Sequence, residues 1–184
     1  MWPADLYLDV ASTVAACFLS LVFLRALLHK LGRHAELIGI VREYRLMPQR
    51  LAPLAAVAIV ACEASAAVGL MLPETRAAAA LLACGLLMSY AAAIGINLLR
   101  GRTSINCGCG GTGQGISRLH LLRNVLLALS ALPAMASVSR GPTVFEVSAL
   151  AVGCVLAAWF MFLAFDQLLG NRTHAVATEY TRGA

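Results

Sequence analysis

Two cysteines separated by one residue, Cys107 and Cys109, stand in the glycine-rich stretch "INCGCGGTGQG" between two apolar runs. Arg100 and Arg102 precede the pair and Arg118 follows it, and nearby positive charge favours the thiolate form of a cysteine. A thiolate attacks a disulfide to form a mixed disulfide, which a neighbouring thiol then resolves. The stretch therefore predicts thiol–disulfide exchange, and its glycines allow the backbone angles that a tight C-x-C ring would require.

Two other interpretations of the cysteine pair remain open. Two thiolates could form half of a zinc site, with His120 or more distant residues as further ligands, or the pair could be an inert part of a turn. The glycines are not followed by G-K-[ST], so a phosphate-binding loop is not indicated. We expect neither a metal nor another cofactor. Four further cysteines lie singly inside apolar runs and are interpreted as small packing residues: Cys17, Cys62, Cys84 and Cys154.

A second group of polar residues interrupts the apolar runs. Glu63 lies near the middle of one run, where an acid costs about 2.5 kcal/mol or more, so it is predicted to be protonated, paired or directed to a polar cavity. A proton or substrate site and a carboxyl bonded across a helix interface are both possible there. Asn97, Arg123 and Asn124 complete a possible polar membrane site. Arg123 is expected to snorkel to the headgroups or to hold the cysteine loop, and not to pair with Glu63.

The elements that carry these residues are predicted to be membrane helices. The chain has 184 residues, of which 60% are hydrophobic and 12% charged, against about 25% charged in soluble domains. Each apolar run is near the ~20 residues that cross a bilayer as a helix. We predict an all-α integral membrane protein, a single domain over 1–184 with a cysteine loop at 100–118 and about five transmembrane helices. The predicted spans are 6–24, 51–72, 77–99, 119–138 and 146–169.

A further helix is predicted at the membrane surface, over about 27–45. Leu27, Leu31, Ala35 and Ile38 would form its apolar face, while its basic residues, Lys30 among them, would lie largely elsewhere. Such a helix suits the cytoplasmic leaflet.

The Lys and Arg residues are distributed unequally between the two sides. Eleven of the thirteen outside the apolar runs fall in the first connection, the third connection and the C-terminal tail. Because positive residues concentrate in cytoplasmic loops, the cysteine loop and the C-terminus are predicted to be cytoplasmic and the N-terminus external. These residues flank apolar runs, so they indicate membrane lipid and not nucleic acid as the partner.

Four features carry a resemblance to a known family. They are "YRLMP" at 44–48, Glu63 in the second run, "LLRGRTSINCGCGG" after the third run and "LLRN" at the start of the fourth. Together they resemble the MauE family of methylamine utilization proteins, which is related to the DoxX group. The likeness covers roughly residues 25–138, and the C-G-C motif after a glycine–arginine pair is its most specific part. Relatives often have an aromatic residue where this chain has Gly110.

The resemblance implies an accessory role in the bacterial inner membrane and no metabolic reaction of its own. The implied client is the small (beta) subunit of methylamine dehydrogenase, a periplasmic, disulfide-rich protein, and the implied partner is a MauD-like thioredoxin-fold protein. The chain would assist processing, transport or disulfide formation of that subunit, with Cys107 and Cys109 as the reactive pair. Because charge places their loop on the cytoplasmic side, we expect a re-entrant loop or an electron relay. A transporter centred on Glu63 and a scaffold for the thioredoxin-like partner are the alternatives.

Overall fold

The computed structural model describes residues 4–103, 105, 115–135 and 151–168. These residues form an all-α membrane bundle. Its helices are α1 (Ala4–Leu31), α2 (His34–Tyr44), a short 3-10 turn (Gln49–Leu51), α3 (Ala52–Gly69), α4 (Arg76–Leu99), α5 (Arg118–Ala134) and α6 (Ala151–Leu168).

Four of these segments are long and apolar enough to cross a membrane, which makes the chain a multi-pass membrane protein. They are Tyr7–Leu31, Gln49–Gly69, Arg76–Leu99 and Ala151–Leu168. Helix α5 has 17 residues, and His120, Arg123 and Asn124 are buried in its first half. Its second half buries alanine and leucine against α1 and α4. The predicted fourth span extends to 138, and residues 136–138 lie outside the described chain.

The region predicted as one surface helix is divided between two elements. Helix α1 continues to Leu31, a turn follows at Gly32 and Arg33, and α2 begins at His34. The turn resets the helical phase, so the four residues of the predicted apolar face do not lie on one helix: Leu27 and Leu31 belong to α1, and Ala35 and Ile38 to α2. The apolar stripe of α2 is instead Leu37, Ile40, Val41 and Tyr44, at the i, i+3, i+4, i+7 spacing of an amphipathic helix.

Small residues let the spanning helices approach one another closely. An added Cβ on Gly69 would lie 2.8 Å from the Cβ of Ala79, so α3 and α4 meet tightly at this end. Ser20 Oγ donates a hydrogen bond of 2.8 Å to the carbonyl of Ala67, which fixes α1 against α3. Without a hydrophobic driving force between helices in lipid, close packing and such hydrogen bonds hold a bundle together.

Helix α6 is attached to the bundle by a partly buried carboxylate. Asp166 accepts a hydrogen bond from Arg123 Nη1 at 2.6 Å and pairs with Arg25 Nη1 at 2.9 Å. Both guanidinium groups also lie within 6 Å of the centre of the Phe162 ring. Of the two roles expected for Arg123, reaching the headgroups or holding the cysteine loop, the structure shows neither and instead pairs this side chain with Asp166. Any contact of Arg123 with 106–114 lies outside the described residues.

Candidate functional site

Three side chains from three helices meet around one carboxylate oxygen. Glu63 of α3 is fully buried, and its Oε1 accepts hydrogen bonds from Lys30 Nζ of α1 and, at 2.8 Å, from Tyr90 Oη of α4. The Lys30 ammonium also lies 5.3 Å from the centre of the Tyr90 ring. The predicted acid inside the bundle is therefore paired. Its other oxygen, Oε2, is buried without a hydrogen-bond partner among the described residues.

Helix geometry explains how Lys30 reaches an acid deep in α3. Ser20 is level with Ala67, and Lys30 meets Glu63, so α1 and α3 run antiparallel. On that register Lys30 begins about 9 Å below Glu63 along the helix axis. Side chains of a helix point toward its N-terminus, which directs the lysine stem up into the bundle. The sequence pattern had placed Lys30 on a polar surface, whereas the lysine is only 8% exposed.

A cavity of about 400 Å³ adjoins this ion pair, between α2, α3 and α4. The stripe of α2 forms one wall, and small and branched apolar side chains of α3 and α4 form the others. Lys30, Ser89 and Tyr90 contribute polar atoms. The lining residues are Lys30, Leu37, Ile40, Val41, Tyr44, Leu46, Met47, Ala55, Ala58, Ile59, Ser89, Tyr90, Ala93 and Ile94.

The chain leaves α4 for the cysteine loop through a helix-terminating turn. Gly101 has φ of +68°, its N–H donates to the carbonyl of Leu98, and the Arg102 N–H donates to the carbonyl of Asn97 at 3.0 Å. This pair of hydrogen bonds defines a Schellman motif, in which glycine takes the left-handed position. A hydrophobic contact usually accompanies the motif. Here Arg102 Nη1 donates to Asn97 Oδ1 at 3.2 Å in its place.

Asn97 also connects the base of the loop to α2. Its Nδ2 donates to the carbonyl of Tyr44 at 3.2 Å, and the neighbouring Arg100 donates to the carbonyl of Arg45 at 3.4 Å. The last carbonyls of a helix have no partner within the helix, and these two side chains at the end of α4 donate hydrogen bonds to two such carbonyls at the end of α2. The buried amide thus joins the end of α2, the end of α4 and the start of the loop.

The two ends of the cysteine loop are fastened to each other. The Ile116 N–H donates to the carbonyl of Ile105 at 3.0 Å, and both side chains are buried against Ile94. Tyr44 and Leu121 pack around the same cluster. Cys107 and Cys109, the predicted reactive pair, lie between these ends and outside the described residues.

A hydrogen-bonded turn starts α5 directly after the loop. Ser117 Oγ lies 2.7 Å from His120 Nδ1, and Asn124 Nδ2 donates to the carbonyl of His120 at 2.8 Å. Both His120 and Asn124 are buried. His120 Nε2 has no hydrogen-bond partner among the described residues.

The four residues predicted as one polar membrane site belong to separate clusters. Glu63 lies with Lys30 and Tyr90, Asn97 lies at the loop base, and the other two are in α5. Tyr90 and Asn97 are seven residues apart on α4, which is about 10 Å along the axis. Across the described ranges, no three His, Cys, Asp or Glu residues come together as a metal site would require.

Sequence reasoning missed Lys30, Tyr90 and Asp166 as partners of the buried charges. The signal was present, since Asp166 is an acid in a strongly apolar run, as Glu63 is. Charges in a membrane pair with one another, so two such acids predict that cationic side chains lie near them in the fold. Arg25 and Lys30 are near the end of the first run, but hydrophobic spacing does not reveal which acid each one meets.

Comparison with known proteins gives a consistent result. Residues 8–137 match the family model described as "Methylamine utilisation protein MauE". The chain is 40% identical over 151 residues to a methylamine utilization protein MauE of Paracoccus denitrificans, covering 77% of this chain and 81% of that protein. It is 38% identical over 180 residues to one of Methylorubrum extorquens, covering 95% of each. No solved structure matches the chain.

Proposed function

Because the chain belongs to the MauE family of methylamine utilisation proteins, we propose that it matures methylamine dehydrogenase by thiol–disulfide exchange. The client is the small subunit of that enzyme, the reactive pair is Cys107 and Cys109, and a MauD-like thioredoxin-fold protein is the exchange partner. The chain itself is a membrane protein of methylamine utilisation, and the proposal adds the chemistry it performs there.

The fastened base of the cysteine loop is the observation that supports this proposal most directly. Asn97, Arg102 and the Ile105–Ile116 hydrogen bond fix where the loop leaves and rejoins the bundle. Fixing the ends reduces the conformational entropy that the loop loses when a partner binds it.

The proposed exchange conserves atoms and electrons. A thiolate of the pair attacks a partner disulfide, one partner sulfur leaves as a thiolate, and a mixed disulfide forms. The second cysteine then attacks that bond, which releases the reduced partner and leaves a Cys107–Cys109 disulfide. The reverse sequence oxidises a client dithiol. Arg100, Arg102 and Arg118 favour the loop thiolate, which is the nucleophile in the first direction and the leaving group in the reverse one.

Single-cysteine variants test the exchange. We expect Cys107→Ser and Cys109→Ser each to abolish maturation of the dehydrogenase while the protein still inserts in the membrane. One of the two variants should accumulate a mixed disulfide with a thioredoxin-fold partner, because the resolving thiol is missing. Non-reducing electrophoresis and mass spectrometry identify that partner.

Cys154→Ser is the matched control, because Cys154 is an exposed cysteine on α6 and should be dispensable. Normal maturation in either loop variant, with no trapped species, would contradict redox exchange.

A second candidate function is transport of a small solute, favoured by the cavity beside Lys30 and Tyr90. In that case Glu63→Gln abolishes uptake, because the carboxylate that holds both donors is lost, and the loop cysteines are dispensable. Uptake of labelled methylamine by cells that carry each variant separates transport from thiol exchange.

A further inference from the structure

The cavity between α2, α3 and α4 has the size and chemistry of a ligand site. Its volume of about 400 Å³ lies in the range of small-molecule pockets, which are mostly apolar with a few placed polar groups. Alanine at 55, 58 and 93 keeps it open, since larger side chains there would fill it. Its polar groups are Lys30, Ser89 and Tyr90.

The charges at the polar groups determine what kind of molecule fits. The Lys30 ammonium is compensated by the Glu63 carboxylate, so the pair is neutral as a unit. A charged ligand would bring an uncompensated charge into an apolar cavity, which is strongly unfavourable. An ammonium has three donors, and one of those on Lys30 is used by Glu63. The cavity therefore suits an uncharged molecule that carries a hydrogen-bond acceptor.

The position of the cavity connects it to the membrane and to the cysteine loop. One wall is the apolar stripe of the amphipathic helix α2, a type of helix that lies at a bilayer surface. Tyr44 at the end of this stripe and Ile94 of α4 also line the cavity, and the same two residues pack against Ile105 and Ile116 at the loop base. A single layer of side chains thus separates the cavity from the ends of the segment that carries Cys107 and Cys109.

We propose that this cavity binds the head group of a membrane quinone, with a ring carbonyl accepting a hydrogen bond from Lys30 Nζ. A quinone is uncharged, has acceptors only on its ring oxygens and carries an apolar tail. It is also a two-electron acceptor in the bilayer, which can reoxidise the loop thiols that are left reduced when a client dithiol is oxidised. The two thiols lose two electrons and two protons and form one sulfur–sulfur bond, and the quinone takes up both to become a quinol. This coupling rests on the proposed function, whereas the binding site does not.

Photolabelling tests the site on the full chain in phosphatidylcholine nanodiscs. An azido-benzoquinone probe should label peptides of α2, α3 or α4, and decylubiquinone should compete. Ala93→Phe fills the cavity and should weaken labelling at least tenfold, while Ala92→Phe should not. Ala92 is the exposed neighbour on α4 that does not line the cavity. Lys30→Met combined with Glu63→Gln removes the donor without stranding a charge and should also weaken labelling about tenfold or more.

The outcomes separate the site from the thiol chemistry. Labelling that persists in the Cys107→Ser, Cys109→Ser double variant supports the site. Three results would overturn the site. Decylubiquinone would fail to displace the label, added phosphatidylglycerol would displace it instead, or labelling would be equal in Ala93→Phe and Ala92→Phe. Displaceable binding without oxidation of the loop thiols by added decylubiquinone would overturn the coupling of the cavity to the thiols and leave the quinone site standing.

Discussion

The burial of Lys30 is energetically tolerable only because Glu63 lies beside it. A buried ion pair gains little over an apolar pair, but removing one partner leaves an uncompensated charge and costs about 3–5 kcal/mol. The Glu63 carboxylate is entirely enclosed and Lys30 is nearly so, so each residue is tolerated because of the other. The pair therefore contributes more to specifying how α1 meets α3 than to net stability.

Lys30→Met should lower the stability of the bundle by about 3–5 kcal/mol, because Glu63 would be left buried without its cation. Adding Glu63→Leu to Lys30→Met should restore most of the loss. Thermal unfolding in detergent, followed by circular dichroism, measures both effects. Arg33→Met is the matched control, since Arg33 forms an exposed pair with Glu36 and such pairs contribute at most about 1 kcal/mol. Equal destabilisation by Lys30→Met and Arg33→Met would contradict the buried-pair interpretation.

Gly101 illustrates the same dependence in the backbone. Its φ of +68° is accessible to glycine at little cost, whereas a branched side chain in the left-handed region costs about 1–2 kcal/mol. Gly101→Val should therefore loosen the turn that starts the cysteine loop. We expect faster proteolysis between α4 and α5, with the rest of the bundle intact, measured by limited proteolysis and mass spectrometry. Gly39→Val, at an open position in α2, serves as the control, and equal cleavage in both variants would argue against this role for Gly101.

Helix packing in this bundle depends on which glycines face a neighbour. Gly69 meets Ala79 with no room for a Cβ, whereas Gly85 has no atom within 4 Å of where its Cβ would lie. Gly69→Ala should therefore destabilise the bundle by about 1–3 kcal/mol through overpacking. Gly85→Ala should be neutral or stabilising by up to about 1 kcal/mol, because alanine is the better helix former. Thermal unfolding of the two variants, side by side, checks the contrast, and a reversed order would contradict the close approach of α3 and α4.

Hydrophobic runs predict which segments are helices well, but they predict poorly which face of each helix is buried. Length and composition were sufficient for an all-α membrane bundle, because a lipid-exposed backbone must satisfy its own hydrogen bonds. The break at Gly32 and Arg33 could not be read from spacing, since Leu27, Leu28 and Leu31 continue the apolar period up to it. One turn shifted the face of α2 and moved Lys30 from the surface helix into α1. Prediction of the candidate site was incomplete for the same reason. The sequence identified Glu63, but its partners Lys30 and Tyr90 depend on how the helices pack against one another.

For the whole molecule, the side of the membrane on which the cysteine loop opens decides how it would meet the proposed client. The charge distribution predicts a cytoplasmic loop, and disulfide formation in a periplasmic subunit requires access from the other side. A loop whose two ends are buried against Ile94 is consistent with re-entry into the bundle. Irregular backbone is tolerated at membrane depth where protein covers it. Re-entry of the loop, or an electron relay through the bundle, would therefore reconcile a cytoplasmic loop with a periplasmic client.

Thiol labelling of intact cells and of inverted vesicles should locate the loop. In variants that retain one loop cysteine each, we expect an impermeant maleimide to label Cys107 and Cys109 from the cytoplasmic side, or to label neither where the loop re-enters. Two exposed connections provide matched references in a cysteine-free background. Gln49→Cys, between α2 and α3, should react only in inverted vesicles, and Glu74→Cys, between α3 and α4, only in intact cells. Labelling of both loop cysteines from the periplasm alone would remove the need for a relay and would reverse the topology predicted from charge.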